Sequence, residues 1–173
     1  MFSISVAGVD SIIKRLESYT KNLEEKNRVF MERLAQIGID TATLKFSQAQ
    51  YDGVNDVVVE QAPHWEGDNT LYVTATGSTI LFIEFGTGVH YTEKHPLQSK
   101  FGYERGTYGY GLGKLESWRY KGSPGTNGEL ITEGPHAGEI RTQGNPPARA
   151  MYDAAKEMRS KIREIAREVY SGG

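Results

Sequence analysis

Apolar side chains recur every seven residues through the first quarter of the chain. The repeat consists of Leu16, Leu23, Phe30, Ile37 and Leu44. Intermediate positions are partly filled by Ile12, Ile13, Tyr19, Leu34 and Thr41. This spacing predicts a long amphipathic helix, or two helices with a break near residues 20–22. Because Lys26 and Asp40 stand where a coiled coil requires apolar groups, we interpret the pattern as one helix on a sheet, with a coiled coil as the alternative.

A short strand is predicted before this helix. Phe2, Ile4 and Val6 alternate with small residues, and Asp10 or Ser11 is placed to cap the helix that follows.

Three apolar runs after the long helix have strand character. They are residues 57–59, 71–76 and 80–85. Turn residues separate them at Asp68 and Asn69 and at Gly77 and Ser78. Since the third run is apolar at nearly every position, we expect a central strand covered on both faces.

Residues 89–144 sustain no helical or strand period and are rich in glycine and tyrosine, which predicts an extended loop insertion. Regularity returns with a predicted C-terminal helix at 146–170, where Asn145 caps and Pro146 and Pro147 occupy the start. The order of elements indicates one α+β domain over residues 1–173. In it, a small, mostly antiparallel sheet is packed by the N-terminal and C-terminal helices.

Composition narrows the classes of function. The 22 acidic and 20 basic side chains give a net charge of −2, so no global field attracts nucleic acid or an anionic membrane. The absence of cysteine excludes disulfides and thiolate metal sites. The longest apolar stretch, residues 80–83, is far shorter than a membrane helix, and the first five residues lack a signal-peptide pattern. We therefore expect synthesis in the cytosol and no membrane partner.

The stretch EFGTGVHYTEKHP, residues 84–96, concentrates histidine and glutamate beside glycine. His90, His95 and either Glu93 or Glu84 are candidate metal ligands of a metal-dependent hydrolase, but their spacing in a loop carries no geometric information. No helix is predicted to start after the glycines, as a phosphate-binding loop requires, and no nucleophile motif is present. The favoured interpretation is the exit of the chain from the sheet, with no catalytic residue, metal or cofactor.

The aromatic residues of the predicted loop form a second candidate site. Six lysines and arginines accompany three glutamates between residues 89 and 128. Tyrosine, tryptophan and arginine favour protein interfaces, and they also stack on single-stranded nucleic acid, which is the alternative. We favour protein binding, through Tyr103, Arg105, Tyr108, Tyr110, Trp118 and Arg119.

Two motifs, FIEFGTG and NPPARAMYDAAKEM, stand at the two ends of the predicted loop. Their matching residues are 83–87 and 145–150, and together with the helix pattern they resemble the tail-completion and head-tail joining proteins of long-tailed bacteriophages. That family is also described as neck proteins or minor tail components. The loop at 89–144 is longer than in the shortest members, so its ligand does not carry over.

The resemblance implies a structural role in a virion, without catalysis. It implies a ring, commonly a hexamer, between portal or stopper and tail tube, with nucleic acid at most passing through the lumen. The protein would reside in the host cytoplasm before assembly. On this basis the hinge residues are Glu84, Gly86, Thr87, Gly88, Pro146 and Pro147.

Overall fold

The computed structural model describes residues 6–104, 106–107 and 112–171. It confirms the α+β class. The elements in chain order are α1 (Val6–Ser47), β1 (Val58–Val59), β2 (His64–Glu66), β3 (Thr70–Tyr72), β4 (Ala75–Thr76), α2 (Ile80–Phe85), α3 (Gln98–Phe101), a short 3-10 turn (Leu112–Lys114), β5 (Trp118–Tyr120), β6 (Glu129–Leu130), β7 (Ile140–Thr142) and α4 (Ala150–Ser171).

Helix α1 is continuous over 42 residues. The break considered at residues 20–22 is absent, because no proline or glycine there interrupts the helical hydrogen bonds. Val6, predicted to end a strand, is already helical, and Asp10 and Ser11 lie inside the helix rather than at its cap. The remainder of that predicted strand, residues 2–5, lies outside the described part of the chain.

The second half of α1 packs against α4, and the main core lies beside this helix pair. Gly38 allows close packing, since a Cβ there would lie 2.7 Å from Sδ of Met158. Phe30 meets Tyr170 with ring centroids 5.8 Å apart, which places the end of α4 near the middle of α1. The buried core cluster combines side chains of α1, β1, α2 and α4, namely Ile39, Ala42, Phe46, Val59, Ile83, Ala150 and Ala154.

Residues 80–85 form helix α2, so the predicted central strand is wrong. A short apolar run is compatible with either a strand or a buried helix, and periodicity cannot separate the two. The local signal is the preceding turn, where the Asp56 carboxylate accepts hydrogen bonds from the amides of Ser78 at 2.8 Å and Thr79 at 3.0 Å. The α2 helix therefore starts where the turn is anchored, and it buries Ile83, Glu84 and Phe85.

The strands form three small antiparallel sheets rather than one. β1 pairs with β4, β2 pairs with β3, and β7 lies between β5 and β6. The third sheet lies within residues 89–144. This segment was predicted to be an extended loop, but it carries strands of two or three residues. Strands this short do not show a measurable alternation in the sequence, because a period of two needs four or more residues to be recognised.

The Asp56 turn yields a prediction of pH dependence. Hydrogen bonds from the Ser78 and Thr79 hydroxyls, and then from their amides, lower the pKa of Asp56 well below its usual range. A depressed folded-state pKa contributes stability that is present above the unfolded pKa of about 4 and is lost as pH falls through the folded value. We expect Asp56→Asn to be less stable than wild type at pH 7, with a difference that shrinks below about pH 4.

Urea unfolding at several pH values measures this difference. Asp68→Asn, in the exposed β2–β3 turn, is the matched control and should follow wild type throughout. An Asp56→Asn deficit that is constant from neutral to strongly acid pH would contradict the assignment.

Candidate functional site

The exit and return of the long segment meet directly. The Thr87 amide donates to the Asn145 carbonyl at 2.9 Å, and the Asn145 amide donates to the Thr87 carbonyl at 3.3 Å. The Thr87 hydroxyl accepts from the Asn145 amide at 3.1 Å and donates to the Asn145 side-chain oxygen. The two predicted motifs, 58 residues apart in the chain, are thus joined into one junction.

Glycine is required on both sides of the junction. Gly86 has φ +80° and Gly144 has φ +86°, in a region that side chains disfavour. A Cβ on Gly144 would lie 2.3 Å from the Thr87 carbonyl oxygen, and one on Gly86 would lie 2.7 Å from the Pro147 nitrogen. A Cβ on Gly88, at φ +77°, would lie 2.8 Å from the Gln143 carbonyl oxygen and 3.1 Å from the Trp118 ring. The hinge glycines thus allow two chain segments to touch.

Glu84 caps helix α4 from another element. Its carboxylate accepts hydrogen bonds from the Met151 amide at 3.0 Å and the Tyr152 amide at 3.1 Å. Arg149, directly before the helix, has φ +55° and no side-chain acceptor. A buried carboxylate at a helix N-terminus satisfies unpaired amides and the helix dipole together. Glu84 therefore locks α4 onto α2.

The predicted start of the C-terminal helix needs correction. Helix α4 begins at Ala150 rather than at residue 146, so Pro146 and Pro147 precede it. Asn145 does not cap the helix, because its side-chain amide donates to the carbonyls of Phe82 at 3.0 Å and Pro146 at 3.2 Å. A proline pair is compatible with an approach segment as well as with a first turn.

His95 is buried, with 2% of its surface exposed. Its Nδ1 accepts the Leu97 amide at 3.1 Å, so the ring proton lies on Nε2 and points to Glu84 Oε1 at 3.2 Å. The ring also contacts Phe85 and Tyr152, at centroid distances of 4.3 Å and 5.5 Å. His95 therefore orients the carboxylate that caps α4.

The positions of the candidate histidine and glutamate ligands do not favour a metal site. His95 uses both ring nitrogens within the protein, whereas His90 lies 3.6 Å from Glu116 and Glu93 is exposed. Within the part of the chain that the structure describes, no three histidine, aspartate or glutamate side chains are placed to hold a metal ion.

A cavity of about 240 Å³ opens beside the junction. Thr87, Gly88, Gly144 and Asn145 form one side of it. Its aromatic walls are Tyr51, Phe82, Trp118 and Tyr120. The cavity therefore connects the hinge to the sheet of the inserted segment.

Asp52 holds the inserted segment against the end of α1. Its carboxylate accepts from the Asn127 amide at 2.9 Å and from the Thr142 hydroxyl. The neighbouring Tyr51 carbonyl accepts from the Thr126 amide at 2.9 Å. Gly125 makes this approach possible, because a Cβ there would lie 2.2 Å from the Tyr51 carbonyl oxygen. The inserted segment is thus tied to the core at its middle as well as at its two ends.

The predicted partner-binding residues fall into different environments. Trp118 and Arg119 belong to β5, where Trp118 is half-buried and Arg119 is exposed and lies 3.4 Å from Glu139. Tyr103 is half-buried, with its ring 4.7 Å from that of Phe85. Arg105, Tyr108 and Tyr110 lie outside the described residues. Partner binding through these residues stays a prediction.

Sequence reasoning missed Tyr51, Asp52 and Tyr120. The hydrogen bonds of Tyr51 and Asp52 to the inserted segment join positions 75 to 90 residues apart, as between Asp52 and both Asn127 and Thr142. The only local signal is the Tyr-Asp-Gly turn after α1, which does not indicate a distant partner.

Comparison of the chain with protein-family models, curated proteins and solved structures found no match. Among the described helices, none is both long and apolar enough to cross a membrane.

The cavity also yields a titration that can be measured. The pKa of Tyr120 is raised to about 12. Burial is the largest cause, followed by the charge of Asp52 and then that of Tyr51. A raised pKa favours the neutral phenol in the folded protein, so this stability is complete below pH 10 and is lost as pH rises through about 12.

We expect Asp52→Asn to lower the Tyr120 pKa by part of its shift, because burial remains. An absorbance titration of the phenolate measures this pKa, and Tyr120→Phe identifies the signal. An unchanged Tyr120 pKa in Asp52→Asn would show that the carboxylate does not act on the phenol.

Proposed function

We propose that this protein is a structural assembly component of a bacteriophage or prophage virion. It forms a ring at the head-tail junction or at the tail end, as a tail-completion or head-tail joining protein. Its role is to connect neighbouring protein rings, and it performs no catalysis. Its partners are other copies of the chain and the neck, stopper, portal or tail-tube proteins. DNA at most passes through the lumen.

The observation that carries the proposal is the junction. The two motifs on which the resemblance depends, residues 83–87 and 145–150, pack against each other through the Thr87–Asn145 bridge and the Glu84 cap. In addition, the Ala148 amide donates to the Ile83 carbonyl at 2.8 Å. Their pairing supports a common structural purpose, namely a rigid base for the inserted segment.

Two different structural parts support an assembly role. The inserted segment carries its own sheet with an exposed Arg119, while helices α1 and α4 pack together as the body. Two different surfaces suit a ring, because each subunit must offer one face to a different face of its neighbour. His95 and Glu84 hold α4 in place, so these two side chains have a structural role.

The test is an in-frame deletion of the gene in the phage or prophage that carries it. We expect electron microscopy of the induced particles to show filled heads and separate or unstable tails. Supplying the wild-type gene on a plasmid should restore joined particles. Normal, stable tailed virions from the deletion strain would refute the proposal.

A further inference from the structure

The cavity beside the junction has aromatic walls that come from three parts of the fold. Trp118 and Tyr120 are two residues apart on β5 and lie on the same face of that strand, whereas Arg119 lies on the other face and is exposed. Tyr51 follows α1, and Phe82 belongs to α2. The four aromatic side chains are half-buried, so the cavity of about 240 Å³ reaches the surface of the protein.

Among the described residues that line this cavity, Asp52 is the only one with a charged side chain. One oxygen of its carboxylate accepts the Asn127 amide at 2.9 Å, and the other accepts the Thr142 hydroxyl. Thr142 is paired with Trp118 across β5 and β7, which places the carboxylate beside the aromatic wall. A carboxylate has about four acceptor sites, so the described contacts leave one site on each oxygen for a ligand.

The charge of Asp52 is not balanced within the described ranges, where no lysine, arginine or histidine forms an ion pair with it. Arg141 lies with Asp52 at a smaller neighbouring cavity, but its guanidinium pairs with Glu129 at 3.5 Å. Two further polar side chains at the aromatic cavity, Thr87 and Asn145, bond to each other. Asp52 is therefore the group that would select a ligand by its charge.

A negative charge beside aromatic rings is complementary to an organic cation. Aromatic faces attract cations, and the attraction grows as water is excluded. The carboxylate adds electrostatic attraction and, for a ligand with an N–H, a charge-assisted hydrogen bond. An anion would be repelled by Asp52, and a purely apolar ligand would desolvate the carboxylate without compensation. Typical small-molecule pockets have roughly 300–1,000 Å³, so this smaller cavity suits one small group or one side chain.

We propose that this cavity binds an organic cation, an alkylated ammonium or guanidinium group held between Trp118, Tyr120 and the Asp52 carboxylate. Two sources share this chemistry, namely a small free amine and the arginine or lysine side chain of a partner protein. The inference goes beyond the proposed virion role and does not depend on it.

Tryptophan fluorescence provides the test, since the chain contains only two tryptophans. Trp65→Phe leaves Trp118 as the single reporter. We expect choline, added at constant ionic strength, to change the Trp118 emission saturably. The neutral molecule of the same shape, 3,3-dimethyl-1-butanol, should bind at least about tenfold more weakly. Equal binding of the two would overturn the assignment to a cation.

A charge variant tests the carboxylate. In the Trp65→Phe background, Asp52→Asn retains the size of the side chain and one acceptor oxygen, and we expect several-fold weaker binding of choline. Glu133→Gln is the matched control, because it removes an exposed carboxylate of the inserted segment that does not line the cavity. Near-UV circular dichroism verifies that each variant is folded. Folded Asp52→Asn protein with the affinity of Glu133→Gln would refute the role of the charge.

A pair of variants at Tyr120 tests the aromatic wall independently of Asp52. The Tyr120 hydroxyl donates to the Ser123 carbonyl at 2.6 Å, so the ring is the part that is available to a ligand in the cavity. Tyr120→Phe retains the ring and should keep the affinity for choline within about twofold, whereas Tyr120→Leu should lose several-fold. Equal affinities of the two variants would overturn the aromatic contribution, even if Asp52→Asn does not fold.

Two peptides identify the source of the cation. One carries a single arginine between blocked glycines, and the other carries citrulline, which is neutral and has nearly the same shape. Tighter binding of the arginine peptide than of choline would indicate the side chain of a partner protein, and the reverse order would indicate a free amine. The absence of saturable binding by both choline and the arginine peptide would overturn the site, and so would equal binding of the arginine and citrulline peptides.

The binding experiment is independent of the virion experiment. Cation binding together with normal virions from the deletion strain would refute the proposed function and leave the cation site intact. Failed cation binding together with defective virions would do the reverse.

Discussion

Replacing Glu84 by alanine should lower the free energy of unfolding by about 3–5 kcal/mol, the cost typical of removing one partner from a buried charged network. Glu84 is 6% exposed and accepts hydrogen bonds from Met151, Tyr152 and His95. Its loss leaves two helix amides and the His95 ring proton buried without an acceptor. Urea unfolding at neutral pH measures the change.

Two further variants test whether loss of the Glu84 cap causes the loss of stability. Glu84→Gln retains the size of the side chain and one acceptor oxygen, but its side-chain NH2 group would face an N–H donor. We therefore expect a smaller loss in the free energy of unfolding, about 1–3 kcal/mol. Glu93→Ala removes an exposed glutamate from the same stretch and should change stability by no more than about 0.5 kcal/mol. A Glu84→Ala protein as stable as Glu93→Ala would show that the cap contributes nothing.

Gly144→Ala should be destabilising by about 3–5 kcal/mol, from a left-handed backbone cost of about 1–2 kcal/mol and a larger steric cost. The new Cβ would lie 2.3 Å from the Thr87 carbonyl oxygen, and backbone cannot move aside as a flexible side chain does. Relief of the clash requires separation of Thr87 from Asn145. Thermal and urea unfolding measure the loss.

Gly138→Ala is a matched control, because it separates the two costs. Gly138 has φ +87°, against +86° for Gly144, but a Cβ on Gly138 would meet nothing within 4 Å. We expect Gly138→Ala to show the backbone cost alone, about 1–2 kcal/mol. Equal losses in the two variants would mean that the junction tolerates the added methyl group.

The position of the junction was predictable, whereas its chemistry was not. Glycine after an apolar run marked the exit at Gly86, and the proline pair marked the return near Asn145. That the two ends touch, and that Glu84 and His95 are buried there as a pair, depends on folding of the residues between them. Glutamate and histidine beside glycine equally fit an exposed metal site, because a sequence does not report burial.

Helices α1 and α4 followed from local pattern, since a period near 3.6 residues repeats many times along each of them. The same pattern contained apolar residues in the first half of α1, such as Leu16 and Tyr19, whose exposure became visible only when α4 was seen to end near Asn27. Residues 80–85 contain too few helical turns for a period to be recognised in the sequence. Their helical form is accompanied by hydrogen bonds to Asn145, Met151 and Tyr152, which lie on α4 and in the segment before it.

The long helices and the two ends of the insertion can be read from neighbouring residues, because periodicity and turn chemistry act over a few positions. The helical form of α2, the cap on α4 and the sheet inside the insertion required the folded chain. Hydrogen bonds that hold these elements to the rest of the fold join residues 58 to 90 positions apart, as between Thr87 and Asn145, Glu84 and Met151, and Asp52 and Thr142. Such pairs form only after the intervening chain has closed a loop, and no local pattern encodes which partner is met.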